Sequence, residues 1–155
     1  MSYRVALLGK QDRAAFVSGS AALDRYFRER ISQDVRRRVA SCFVALDDSD
    51  AVAGFYTIAA TSLVLDQLSP DQAAKLPRYP VVPAVLLGRL AVATAHQGKR
   101  LGGALLADAL LRATRSEVMA YAMIVDAKDE AAARFYAHHG FVRLGDDRLR
   151  LIRAL

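Results

Sequence analysis

Arg89-Leu-Ala-Val-Ala-Thr-Ala-His-Gln-Gly-Lys-Arg-Leu-Gly-Gly103 is the stretch on which the reading of this chain turns. It begins inside an apolar run, Val85 to Val92, that reads as a buried strand. It ends where a helical pattern starts: Leu101, Leu105, Leu106, Ala109 and Ala113 fall on one face up to about Arg115, with Asp108, Arg112 and Arg115 on the outer face. Between strand and helix lie Gln97, Gly98, Lys99, Arg100, Gly102 and Gly103. Glycines let a ligand approach the backbone without a Cβ in the way. The first turn of a helix carries unpaired N–H groups and the positive end of its dipole, which suits a pyrophosphate, and Lys99 and Arg100 add formal charge beside it. Glycines before a helix also serve ordinary strand-to-helix turns, so this pattern alone leaves both readings open.

Working outward, Tyr3 to Leu8 reads as a short strand, and Asp12 to about Arg38 as helical, interrupted at Ser18-Gly-Ser20 where a new helix is capped. Val39–Leu46 and Ala51–Ala60 flank an acidic turn and predict a hairpin. Residues 61–84 hold all four prolines (Pro70, Pro77, Pro80 and Pro83) and read as a loop with one short helix after Ser69. Ala120 to Val125 is a buried strand; Asp129 caps a helix from Glu130 to His139, with Gly140 as its left-handed exit. Phe141–Leu144 and Arg148–Ile152 close the chain as strands. The order β-α-α-β-β-loop-β-α-β-α-β-β predicts an α/β sheet of mixed strand direction in one domain spanning residues 1–155.

Composition excludes more than it selects. At 155 residues, 54% hydrophobic and 25% charged, the chain is long and apolar enough for a core. No apolar run reaches the roughly 20 residues of a membrane span, and the first residues do not read as a signal peptide, so a cytoplasmic protein without membrane contact is expected. Cys42 stands alone, which leaves no internal disulfide or cysteine-based metal cluster and suggests a small core residue. A net charge of +6, mostly arginine, favours an anionic partner without choosing among nucleic acid, a phosphate-bearing cofactor and an acidic protein.

Two motifs together resemble a known superfamily. Leu90-Ala-Val92, Gln97-Gly-Lys-Arg-Leu-Gly102 and Ala104-Leu-Leu106 are similar to the acetyl-CoA signature of the GNAT N-acetyltransferases, Gln/Arg-x-x-Gly-x-Gly/Ala, with Arg100 where the first signature glycine is usual. Asp129-Glu-Ala-Ala-Ala-Arg-Phe-Tyr136-Ala-His-His-Gly-Phe141 is similar to the superfamily's Asn-x-x-Ala-x-x-Phe-Tyr-x-x-x-Gly-Phe element, with Asp129 for asparagine. The resemblance implies a GNAT-like α/β fold, a mostly antiparallel central sheet flanked by helices. It implies acetyl-CoA as co-substrate and no metal. Leu90, Ala91, Val92, Gln97, Gly98, Lys99, Arg100, Leu101, Gly102, Gly103 and Asp129 would then contact acetyl-CoA, and Tyr136 would be the general acid for the leaving thiolate. No strong base stands out: His96 is expected exposed in the turn, His138 and His139 end a helix, and Asp126 and Glu130 are candidates acting through water.

Phe16-x-Ser-Gly-x-x-x-Leu-Asp24, the arginine-rich helix to Arg38, Gly54-Phe-Tyr-Thr57 and Leu87-Gly-Arg-Leu-Ala-Val92 extend the resemblance, over nearly the whole chain, to the tRNA-acetylating toxins of type II toxin–antitoxin modules. This implies aminoacyl-tRNA as acceptor, a ribbon-helix-helix antitoxin and a homodimer. Arg25, Arg28, Arg36, Arg37 and Arg38 would contact RNA phosphates, with Lys75, Arg78 and Arg89 nearer the reaction. Two other readings stay open: acetylation of a protein or small-molecule amine, and a CoA- or RNA-binding regulator without turnover.

Overall fold

The computed structural model describes residues 2–147 and 149–155. Its strands are β1 (Arg4–Leu7), β2 (Ser41–Leu46), β3 (Val52–Val64), β4 (Val81–Val92), β5 (Ala122–Asp126), β6 (Val142–Arg143) and β7 (Arg150–Ala154). Its α-helices are α1 (Ala21–Glu29), α2 (Ile31–Arg36), α3 (Pro70–Ala73), α4 (Leu101–Arg115) and α5 (Glu130–His138). The strands follow the hydrogen-bonded order β1-β2-β3-β4-β5-β7-β6. Pairing is antiparallel throughout β1–β2–β3 and β5–β7–β6, and parallel between β4 and β5. The expected mixed, mostly antiparallel α/β sheet is therefore present. The chain divides into two compact units, residues 1–59 with 88–109 and residues 60–87 with 110–155.

In the first unit, Ser20 caps α1 by accepting from Leu23 N–H (3.3 Å). The preceding Ser18 donates its N–H and hydroxyl to Asp24, a buried carboxylate. Helix does not extend back to Asp12 as expected. Asp12 Oδ1 takes the Ala14 N–H at 2.9 Å, and this local bond competes with a helical one. The core of this unit gathers Phe16, Phe27 and Phe55, with Phe27 stacked on Phe55 at 4.2 Å between centroids. The hairpin β2–β3 closes through Asp47, whose Oδ1 accepts from Ser49 and Ala51 N–H. Cys42 is fully buried on β2, and burial pushes its thiol up to about 12.

In the second unit the expected loop at 61–84 is a loop only in its middle. Residues 61–64 belong to β3 and 81–84 to β4, with Leu65–Gln67 as a 3-10 turn between them. Pro83 does not break β4, because the β4–β5 register begins one residue later at Ala84↔Ala122 and no bond to β5 is lost. The short helix after Ser69 is present as α3, held by a capping box of Ser69 and Gln72. Leu63, Val82, Ala84, Ala122, Ile124 and Ile152 form the core here. β7 runs to Ala154, two residues beyond the strand read from Arg148 to Ile152 (Arg148 itself lies outside the described residues). Among the described residues no helix is long and apolar enough to cross a membrane.

Candidate active site

The parallel β4–β5 register runs from Ala84↔Ala122 to Leu87↔Val125 and stops, while β4 continues to Val92. On its other side this continuation is held to β3. Ala93 N–H donates to Ala53 C=O at 2.8 Å, and Arg89 N–H to the buried Thr57 hydroxyl at 3.0 Å. Gly88 makes room for that hydroxyl, since a Cβ there would stand 2.8 Å from Thr57 Oγ1. Gly54 does the same for the following helix: its Cβ would meet Ala91 O at 2.9 Å and Leu105 Cδ1 at 2.9 Å.

Beyond β4 the chain makes a 3-10 turn, Thr94–His96. Thr94 N–H donates to Val17 C=O, and the Gln97 amide donates to Ser18 C=O at 2.7 Å and Val92 C=O at 2.9 Å. The Gln97 side chain therefore braces the loop. His96 is not exposed as expected: its side chain is only 12% accessible, with Nδ1 2.7 Å from the Tyr3 hydroxyl and Nε2 3.6 Å from the Asp47 carboxylate. Neither partner is near His96 in sequence, which is why the turn alone suggested exposure.

Gly98 (φ 79°) and Arg100 (φ 64°) are both left-handed. The arginine thus occupies the backbone conformation for which glycine is suited, and the loop keeps its course despite the substitution. Arg100 C=O accepts from Ala104 N–H (3.2 Å), so α4 starts immediately behind it. Leu101 is buried and anchors the first turn, with Gly102 and Gly103 following it. Leu90, Ala91, Val92, Gln97, Gly98, Lys99, Arg100, Leu101, Gly102 and Gly103 thereby form one continuous strand-edge, loop and helix-start in the first unit. A left-handed non-glycine residue costs about 1–2 kcal/mol. Arg100→Gly is accordingly expected to stabilise the protein by about 1 kcal/mol after the greater chain entropy of glycine is subtracted. Urea unfolding of the two proteins measures it.

In the second unit, Asp129 caps α5, its Oδ1 accepting from Ala132 N–H at 2.8 Å. Asparagine and aspartate are equivalent caps, which explains the replacement at this position and commits the carboxylate to the helix. Tyr136 lies in the last turn of α5 and is 7% exposed, with Phe135 and Phe141 edge-on at 5.1 and 5.6 Å. Burial pushes its phenol up to about 12. Among the described residues no side chain hydrogen-bonds the hydroxyl. Asp126 and Glu130, weighed as bases, are engaged by Arg150 (3.1 Å) and Arg143.

The arginines separate into groups. Arg25 and Arg28 are exposed on α1, the latter 3.9 Å from Asp24. Arg36 ends α2, and Arg37 and Arg38 follow it, all exposed. Lys75 and Arg78 are exposed in the second unit after α3. Arg89 stacks on Tyr26, 3.6 Å from the ring centroid, a partnership the sequence did not signal. Asp108, expected on the outer face of α4, instead accepts a hydrogen bond from the buried Tyr56 hydroxyl. Among the described residues no group of three or more His, Cys, Asp or Glu is arranged to hold a metal ion.

Comparison with known proteins is consistent with this geometry. The model of the acetyltransferase (GNAT) domain matches residues 38–143. A tRNA-acetylating toxin of Mycobacterium tuberculosis is 35% identical over 143 residues, 91% of this chain and 84% of that protein. AtaT complexed with acetyl-methionyl-tRNAfMet superposes with a TM-score of 0.87 at 25% identity, covering 99% of this chain and 95% of that one. A tyrosine-to-phenylalanine mutant of the AtaT toxin, bound to the C-terminus of the antitoxin AtaR, shares the fold with a TM-score of 0.80 at 22% identity, over 98% and 92% of the two chains.

Proposed function

Because the chain belongs to the GNAT acetyltransferases, we propose that it transfers the acetyl group of acetyl-CoA to the α-amino group of an aminoacyl-tRNA. For the acceptor, the reading rests on the 35% identity, over 91% of the chain, to a tRNA-acetylating toxin. We read residues 1–155 as one acetyltransferase domain, since the family match at 38–143 runs through both compact units. The same reading makes the chain the toxin of a toxin–antitoxin module acting in the cytoplasm, a homodimer neutralised by a ribbon-helix-helix antitoxin.

The residues divide the work as follows. N–H groups of the first turn of α4, with Lys99 and Arg100, hold the pyrophosphate. The end of β4 at Val92, beyond the β5 register, pairs with the pantetheine arm as an added strand would. A backbone N–H near Val92 points at the thioester oxygen and stabilises the charge that develops there. The amine nitrogen bonds to the carbonyl carbon, the carbon–sulfur bond breaks, and Tyr136 donates its phenolic proton to the sulfur. The proton lost by the amine passes to solvent, and the Tyr136 phenolate takes a proton back from solvent. An α-amino group titrates near ~8, so a useful fraction is neutral without a dedicated base. An acetylated nitrogen is an amide and no longer attacks an ester, which is how such a product would stop peptide elongation.

Incubation with radiolabelled acetyl-CoA tests the proposal. Label is expected on charged tRNA and not on deacylated tRNA or a lysine peptide. Label on the peptide alone would assign a protein amine instead.

A further inference from the structure

Arg89 is held in an unusual way for an exposed arginine of this chain. Arg4, Arg28, Arg143 and Arg150 meet carboxylates, Arg153 donates to the His139 carbonyl, and Arg13, which also lies over a ring (Phe27, at 5.8 Å), meets the Ser32 hydroxyl. The guanidinium of Arg89 lies over the face of Tyr26, 3.6 Å from the ring centroid, and among the described residues no acceptor takes its N–H groups. Tyr26 is itself fixed: it is 8% exposed in the core of the first unit, and its hydroxyl donates to Asp34 Oδ2 at 2.6 Å. Burial, then the bond to Asp34, raise the Tyr26 pKa, so the ring stays neutral and the bond persists. The Arg89 backbone is pinned through its N–H to Thr57 Oγ1. A cation resting on an aromatic face has lost little hydration, and its planar fork of donors remains directed along its edges. Such a fork matches two oxygens of a phosphate.

Position narrows the source of that phosphate. This step rests on the proposed function, in which the pyrophosphate sits at the start of α4 and the thioester lies near Val92. Arg89 is three residues before Val92, about 10 Å along an extended strand, and so stands beyond the thioester on the side away from the pyrophosphate. A phosphate reaching Arg89 there arrives with the acceptor.

We propose that Arg89, stacked on Tyr26, is the clamp for a backbone phosphodiester near the 3′ end of the charged tRNA, with Tyr26 and Asp34 as its positioning residues. The clamp fixes the aminoacyl end relative to the β4 edge. It acts on acceptor binding rather than on the chemistry of transfer.

Steady-state kinetics on the full chain, varying charged tRNA and acetyl-CoA separately at several salt concentrations, test this. Arg89→Ala is expected to raise KM for charged tRNA on the order of tenfold, with the KM for acetyl-CoA within about twofold of wild type. The slope of log(kcat/KM) against log salt should fall in magnitude by about 0.7, the loss of one single-strand phosphate contact. Arg89→Lys keeps the slope but recovers only part of the affinity. Tyr26→Leu should raise the same KM without changing the slope, because the charge remains. If that variant fails to fold, Tyr26→Phe, which keeps the ring and loses the bond to Asp34, carries the test with a shift of about two- to threefold. A rise in the acetyl-CoA KM instead would assign the anion to the cofactor and overturn the proposal, as would an unchanged salt slope in Arg89→Ala. Filter binding of charged tRNA separates the two levels. If wild type binds but does not acetylate it, the acceptor chemistry is wrong while Arg89→Ala still reads the clamp. Equal binding by wild type and Arg89→Ala refutes the clamp.

Discussion

Tyr136→Phe is expected to lower kcat by about 10²–10⁴-fold, the usual contribution of a positioned general acid, while the protein folds and melts at neutral pH as wild type does. The ring contacts with Phe135 and Phe141 survive the substitution, and no hydrogen bond from the hydroxyl to another described side chain is lost. Only the proton donor disappears. Burial raises the phenol to about 12, so its proton is present through neutral and mildly alkaline pH, and this group imposes no alkaline fall in kcat near pH 10. The raised value also sets the sign of a stability effect. The buried neutral phenol contributes fully below pH ~10, the unfolded value, and its contribution is lost as pH rises through about 12. Melting wild type and Tyr136→Phe between pH 9 and 12 should show the wild type losing stability more steeply. A variant that keeps kcat within a few-fold of wild type would mean that the thiolate is protonated by another donor.

Gly54→Val is expected to destabilise the protein by about 3 kcal/mol, and Gly54→Ala by about 1–2 kcal/mol. At this glycine a Cβ would press on the Ala91 carbonyl and on Leu105 Cδ1, both at 2.9 Å. The leucine can rotate, but the carbonyl belongs to β4 and cannot yield without moving the strand. Leu101 Cδ2, at 3.6 Å, brings the first turn of α4 into the same contact. Separation of strand and helix here disturbs the loop between them, so the acetyl-CoA KM of any folded Gly54→Ala protein should rise along with its loss of stability. Urea midpoints and acetyl-CoA titrations measure the two effects. A midpoint equal to wild type would show that the close approach is not a constraint on the fold.

What could be read from residues alone was the local chemistry. Leu101–Arg115 is helical over the span its apolar spacing indicated; Ser20 and Asp129 cap their helices through their side chains, and Gly140 takes the left-handed exit open to glycine. These signals lie within a few residues of what they specify. The departures involve pairing between distant segments. Residues 61–64 and 81–84 are strand because β3, β4 and β5 supply one another's hydrogen bonds, whereas local proline content pointed to a loop. The half-buried position of His96 depends on Tyr3 and Asp47, and the inward engagement of Asp108 depends on Tyr56. Arg100 showed the opposite: its departure from the glycine signature was visible, but only the backbone revealed that the left-handed conformation was kept at a cost in strain. The stacking of Arg89 on Tyr26, 63 positions earlier in the chain, had no periodicity or spacing to announce it.

The most direct measurement is the identity of the acetylated atom. Charged tRNA is treated with the protein and acetyl-CoA, the aminoacyl ester is cleaved with mild base, and the released amino acid is examined by mass spectrometry. An N-acetylated amino acid is expected from wild type, with its yield greatly reduced by Tyr136→Phe. Release of unmodified amino acid by wild type, with acetyl recovered on a nucleobase, on protein or as free acetate, would contradict it.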